Sequence, residues 1–356
     1  MQVGELTEAV RNRSVYRQFH WDNVGGQAGC RGRGSNLYFS AAGMLPGYAD
    51  MPWRQVTAAA NSLAADGAEG LAVSVQGCLP VSYEEARLRE DMKQFAAEIK
   101  SNGMEPGDIH IQVSDQVNAA QYFVTAVGHG LRTETPESAG NEQGFTGTAD
   151  FERNSAGSKG RLPGQERRLR PGQELVITRQ IALAGTAALA RLHEKELRRR
   201  FPFWLIDHAK EFERWMPTSG DARAAYRFGA AAVYPVAQGG IFNALWELAE
   251  RADAGLEVDL RRIPVKQETI EICEYFDLNP YYLYSAGCLL IGTEQAEGLV
   301  AALADIGISA AVIGGVTDGN DRVICNGENR RFLDRPKQDE LWRLGDGEMA
   351  AGKKNS

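Results

Sequence analysis

The chain has 356 residues, 43% apolar and 24% charged, which is enough for two ordinary domains with separate cores and is unremarkable for a globular protein. Its formal net charge of -8 excludes a general nucleic-acid or membrane-surface binder, because no broad positive field would draw phosphates. No apolar run approaches the ~20 residues that span a bilayer. The N-terminus, Met1 to Glu5, lacks the basic start and apolar core of a signal peptide, so a cytoplasmic location is expected.

In chain order, residues 5 to 20 read as a short helix, and Gly25 to Gly34 as a glycine-rich loop interrupted by Arg31 and Arg33. Asn36 to Ser40 reads as a strand, Trp53 to Ala65 as an alanine-rich helix, and Leu71 to Val75 as a strand. Tyr83 to Asn102 has Leu88, Met92, Phe95 and Ile99 at helical spacing, with Ser82 as the expected cap. Asp108 to Val113 and Gln121 to Val127 follow as strands. Gly130 to Gln165 is nearly empty of large apolar residues and reads as a flexible insertion or linker.

Regular structure resumes with a strand at Leu175 to Thr178 and a long helix, Gly185 to Phe201, with a basic end. Further helices are expected at Asp221 to Phe228, Ile241 to Ala252, Ile270 to Phe276 and Glu294 to Ile306. Strands are expected at Gly255 to Leu260, Cys288 to Ile291 and Ala310 to Val316. Met216 to Asp221 reads as a loop and helix cap. The mixture predicts an α+β or α/β domain in the second half.

The five cysteines, Cys30, Cys78, Cys273, Cys288 and Cys325, are widely spaced, odd in number and form no Cys-x-x-Cys pair. Neither a zinc site nor a disulfide framework is expected, and they read as small buried hydrophobes.

Several stretches of the second half are more specific. Gly239-Gly240-Ile241, Ala244 to Ala249, Gly255 to Val258, Ile263-Pro264-Val265, Asn279-Pro280, Ser285 to Ile291 and Ala311 to Gly314 occur in one order. Together with Thr178 and Leu183 to Ala187, they resemble the aminoimidazole ribonucleotide (AIR) synthase-related superfamily, in its hydrogenase maturation factor branch. The first half is similar through Ala60 to Glu69, Val113 to Asn118 and Val124 to Gly128.

The resemblance implies a two-domain α+β fold. Its parts are an N-terminal barrel-forming domain over 1–129, an insertion over 130–168, a C-terminal α/β domain over 169–334 and a tail over 335–356. It implies a homodimer with a shared β-barrel, ATP held among glycine-rich turns, and Mg²⁺ held by first-domain carboxylates. It also implies that ATP activates an amide or carbonyl oxygen, and a protein partner in a maturation or assembly role.

The chain departs from this pattern where acidic residues are expected. Gly29 to Gly34 offers Arg31 and Arg33, Ser40 to Gly43 lacks a Thr-Asp pair, and Asn61-Ser62 stands where Asn-Asp is usual. Asp108 to Gln112 replaces a Gly-Gly-x-Thr-Glu motif, and Pro235 replaces the Asp ahead of the glycine turn. A cysteine-bearing tail end is absent. Mg²⁺ requires hard oxygen ligands, so these losses predict a nucleotide- or anion-binding or assembly protein with little ATP turnover. The alternative is an active ATP-dependent enzyme with a metal site rebuilt from Asp66, Asp108 and Asp115.

Gly239 and Gly240 open a helix, as a phosphate cradle or as a tight structural turn. Arg31 and Arg33 are a substitute anion cradle or a solvated loop. Asn61 and Asp115 are the remaining polar candidates for cofactor contact, and Asp66 and Asp108 for metal. His110 reads as a strand histidine satisfied by local hydrogen bonds, with no catalytic role assigned.

Overall fold

In a computed structural model the described residues are 37–130 and 169–344. The helix expected over 5–20, the Arg31/Arg33 loop, Cys30 and most of the 130–165 insertion lie outside them.

The first domain is a four-stranded sheet in the order β1-β4-β2-β3, with β1 Leu37–Ala42, β2 Ala68–Pro80, β3 Glu105–Ser114 and β4 Gln121–Gly130. Two helices, α1 Arg54–Ala65 and α2 Glu85–Ser101, cover one face. Alternation along the strands sends Val73, Val75, Leu79, Tyr122, Val124 and Ala126 against Val56, Leu63, Phe95 and Ile99 of the helices. Strand β2 is longer than its sequence suggests because it runs through two glycines. A Cβ on Gly77 would lie 2.7 Å from Ile111 and 3.0 Å from Tyr122, so the strand tolerates glycine there as room for its neighbours. Helix α2 begins after Glu84 with no side-chain cap bond, so the Ser82 cap is not formed. Asp91, fully buried on α2, instead accepts hydrogen bonds from the hydroxyls of Tyr83 and Tyr122 and pairs with Arg87.

The second domain is a seven-stranded sheet in the order β11-β10-β7-β9-β5-β8-β6. Its strands are β5 Glu174–Thr178, β6 Ala232–Pro235, β7 Gly255–Asp259, β8 Leu289–Thr293, β9 Ala310–Thr317, β10 Arg322–Asn326 and β11 Asn329–Phe332. All neighbouring pairs are antiparallel except β7 with β10. One face carries α3 Leu183–Leu192, α5 Phe203–Lys210, α7 Gly240–Ala252 and α8 Gln267–Tyr275, and the other carries α6 Ser219–Arg227 and α9 Ala296–Asp305. Central strand β5 serves both cores, with Leu175 and Ile177 on one side and Val176 on the other. The long helix expected over 185–201 breaks at His193, whose ring packs 4.9 Å from Phe276, and a single turn, α4 Glu194–Leu197, follows. Cys273 and Cys288 are buried as expected, and burial pushes both thiols up, Cys273 to about 12. Cys78 and Cys325 are only half-buried.

Helix α1 joins the two domains. Its Ala64 and Ala65 complete the core under α6, and the Ala65 carbonyl accepts from the Tyr226 hydroxyl. Asn61 donates its side-chain amide to the Met216 carbonyl at 2.8 Å and accepts from the Thr218 amide at 2.8 Å. Removing Asn61 leaves both backbone groups buried without partners. Asn61→Ala is expected to cost about 2 kcal/mol, read as a lower urea midpoint.

Candidate functional site

The candidate glycine turn, Gly239-Gly240, opens α7. Gly239 (φ 72°) and Gly240 (φ 65°) both adopt the left-handed conformation, which glycine enters at no steric cost. The Gly240 amide closes the turn on the Ala237 carbonyl at 3.2 Å, so the Gly239 amide, at the start of α7, is the glycine donor left for a negatively charged partner. A Cβ on Gly240 would stand 2.4 Å from the Tyr281 carbonyl oxygen, so a side chain there is excluded by both space and conformation.

That donor is already taken. The Gly239 amide donates to Oδ2 of Asp339 at 2.7 Å, and the Leu341 amide donates to Oδ1 at 3.0 Å. A third bond comes from the Tyr284 amide. Asp339 is only 3% exposed. It belongs to a strap, residues 334–344, folded back over the turn. Asn243 holds that strap by donating to the Lys337 carbonyl at 2.7 Å and accepting from its amide at 3.0 Å, and Leu341 is buried against α3. From the first domain, the Met44 carbonyl accepts from Gln238 beside the turn at 3.1 Å. The segment expected to be a tail therefore supplies the carboxylate that, among the described residues, touches the glycine turn.

Burial pushes the Asp339 carboxyl up to about 7, against three amide bonds that favour its charged form.

The other candidates do not gather here. Asn61 is spent on the interdomain bonds to Met216 and Thr218. Asp66 caps the C-terminus of α1. Asp108 lies exposed on β3, and Asp115 lies exposed just past its end, bonded to Gln116 at 3.0 Å. The six residue steps from Asp108 to Ser114 span about 20 Å, so Asp108 and Asp115 do not share one ion. Among the described residues no group of three His, Cys, Asp or Glu side chains converges as a metal site. The rebuilt site of Asp66, Asp108 and Asp115 is thus not formed, and these residues do not fit Mg²⁺. His110 is exposed on β3. Arg31 and Arg33 lie outside the described residues.

The Met216–Asp221 loop does cap a helix, α6, but the Thr218 hydroxyl makes no cap bond. Asp221, at 3% exposure, pairs instead with Arg179 at 2.8 Å, and burial still pushes its carboxyl up. Arg179 itself is a non-glycine residue at φ 55°.

Residues 170–326 match the family described as AIR synthase related protein, C-terminal domain. That match spans most of the second domain, and the chain as a whole has the two-domain AIR synthase-like fold. Within it the chain is similar to hydrogenase maturation proteins. It is 26% identical over 259 residues to carbamoyl dehydratase HypE of Rhodobacter capsulatus, a match covering 71% of this chain and 66% of that one, just under two thirds of the relative's length. A HypE–HypF complex superposes with a TM-score of 0.61 at 17% identity, covering 84% of this chain and 90% of the other. AaThiL with bound AMPPCP and TMP superposes with a TM-score of 0.65 at 14% identity, covering 94% and 98%. No helix among the described residues is long and apolar enough to cross a membrane.

Two outcomes follow for the turn. Gly240→Ala is expected to cost about 2–3 kcal/mol through backbone strain and the Tyr281 contact, measured by chemical denaturation. Because the Asp339 carboxyl is raised in the fold, its contribution to stability is fully present below the ordinary value of 3.8 and is lost as pH rises toward about 7. Denaturation midpoints of the parent and Asp339→Asn should therefore diverge between about pH 4 and pH 7, the variant losing less stability as pH rises.

Proposed function

We propose that this chain is a homodimeric, hydrogenase-maturation-factor-like assembly protein whose glycine turn binds a nucleotide or another anion with little phosphoryl transfer. The observation that carries the reading is Asp339, a carboxylate held where a phosphate oxygen would sit, on the Gly239 amide. A receptor that satisfies its own chain's carboxylate has the polarity to accept a phosphate. Efficient transfer from ATP, by contrast, needs metal ions to neutralise developing charge, and the described carboxylates are scattered. ATP-type ligands are supported by AMPPCP in AaThiL, and a protein partner by the HypE–HypF complex.

Binding at the turn then requires the strap to leave. The apparent affinity is lowered by the fraction of molecules in which Asp339 is displaced. Asp339→Ala is expected to tighten ATP binding about tenfold in calorimetry, with similar affinities in the presence and absence of Mg²⁺. Mg²⁺-dependent ATP hydrolysis that disappears with Gly240→Ala, in protein shown to remain folded, would overturn the reading.

The homodimer rests on the open face of the first sheet. Neither α1 nor α2 covers it, and it presents Leu37, Leu71 and Phe123, each at least 39% exposed. The register extends the row by setting Phe39 beside Val127. A second copy closing a barrel would bury this row. Phe123→Glu should convert a dimer to a monomer in analytical ultracentrifugation while leaving circular dichroism unchanged; a wild-type monomer at high concentration would refute the dimer.

A further inference from the structure

We infer that the surface made by α4, the Arg198–Pro202 loop and the start of α5 is a docking site for an acidic protein segment that carries an apolar anchor. The inference deepens the assembly role proposed above and rests on it for the existence of a partner. It uses no residue of the glycine turn.

The charge balance of this surface is uneven. Glu194 and Asp207 are both taken up by Arg198 and Lys210. Lys195, Arg199 and Arg200 are left without an ion pair among the described residues, on a chain whose net charge is -8. With Glu196 and Tyr275 they line an open depression of about 460 Å³. Glu196 accepts from the Tyr275 hydroxyl at 3.0 Å, so part of its acceptor capacity is spent within the floor.

Apolar anchoring stands at the same place. The Phe201 ring meets Tyr275 with centroids 5.8 Å apart. The chain then turns at Pro202 into Phe203 and Trp204, each 65% exposed. Arg198 lies 4.9 Å over the Phe203 ring, which keeps a guanidinium beside exposed aromatic surface. Trp, Tyr, Phe and Arg are the residue types enriched at the centres of protein interfaces, and Trp, Tyr and Arg dominate their binding energy. Aromatics exposed to this extent add little to the folding of a single chain. Three unpaired cations beside them select a partner of opposite charge and speed its approach.

The test uses the full chain and a labelled peptide in which aspartate and glutamate flank leucine and tryptophan anchors. Its lysine-substituted counterpart and poly-glutamate serve as controls. Fluorescence polarisation should show saturable binding of the acidic anchored peptide, weakened by salt, and none of the lysine peptide. Arg199→Glu with Arg200→Glu should weaken it at least about tenfold, and Trp204→Ala about 30-fold. If Trp204→Ala lowers the melting temperature, the arginine pair alone decides, since both side chains are exposed. Equal binding of poly-glutamate, or unchanged binding in the arginine pair, would overturn the inference. So would loss of phosphatidylserine-vesicle binding, or a changed oligomeric state, as the main effect of these substitutions. Unaltered ATP titrations in the same variants keep this result separate from that of the glycine turn.

Discussion

Everything at the glycine turn depends on how helix α1 is held between two sheets. Asn61 satisfies one carbonyl and one amide of the Met216–Thr218 segment, both backbone groups that have no other route to water. The same helix ends under Tyr226 and begins at Arg54, which reaches Glu98 in its own domain and Glu213 in the other. With α1 fixed, the preceding loop lands on the second domain. The Tyr48 hydroxyl donates to the Ala184 carbonyl at 2.9 Å, and Arg191 grips the Gly47 carbonyl at 2.6 Å. That loop also brings the Met44 carbonyl to Gln238. A polar side chain that sequence comparison places near nucleotide chemistry thus serves here as the fastening between domains.

A second constraint acts on charge. Burying a lone carboxylate is costly, and the fold offsets it at Asp339 with three backbone amides and at Asp221 with an arginine. At both sites desolvation still prevails, since both carboxyls are pushed up. The asymmetry between them is informative. Asp221 is tied to a fixed guanidinium inside one domain, whereas Asp339 sits on a strap held by the Asn243 side chain on the Lys337 backbone, by Arg343 on the Asp277 carbonyl at 3.3 Å, by Lys337 over the Tyr282 ring and by the packing of Leu341.

Much of the fold was legible because local signals agreed with the tertiary outcome. Helix α7 begins at its Gly-Gly turn, and α1, α6 and β9 lie within a residue or two of the ranges their patterns suggest. The discrepancies have particular causes. His193 ends α3 because its ring is needed against Phe276, a partner 83 residues away that no helical periodicity reveals. Gly70 and Gly77 look like strand ends, yet they mark close approach within β2. The site was half legible. Two adjacent glycines before an apolar helix announce a concave turn, but its occupant, Asp339, lies among charged residues that read as a solvated tail. Only the apolar pair Leu341-Trp342 hinted that this stretch is packed.

The bond between the Gly239 amide and Asp339 spans 100 residues of chain. During synthesis at about 5–20 residues per second, the second half of that span emerges well after the turn and its helix have left the ribosome. Once Tyr284 has been made, 55 residues before Asp339, the Gly239 and Tyr284 donors therefore exist for about 3–11 s without the carboxylate that will take them. A nascent chain is thus open to a solution anion without the displacement of Asp339 that the finished protein requires. Whatever ligand is abundant beside the ribosome has the first opportunity to occupy the turn, and the strap must compete with it to close.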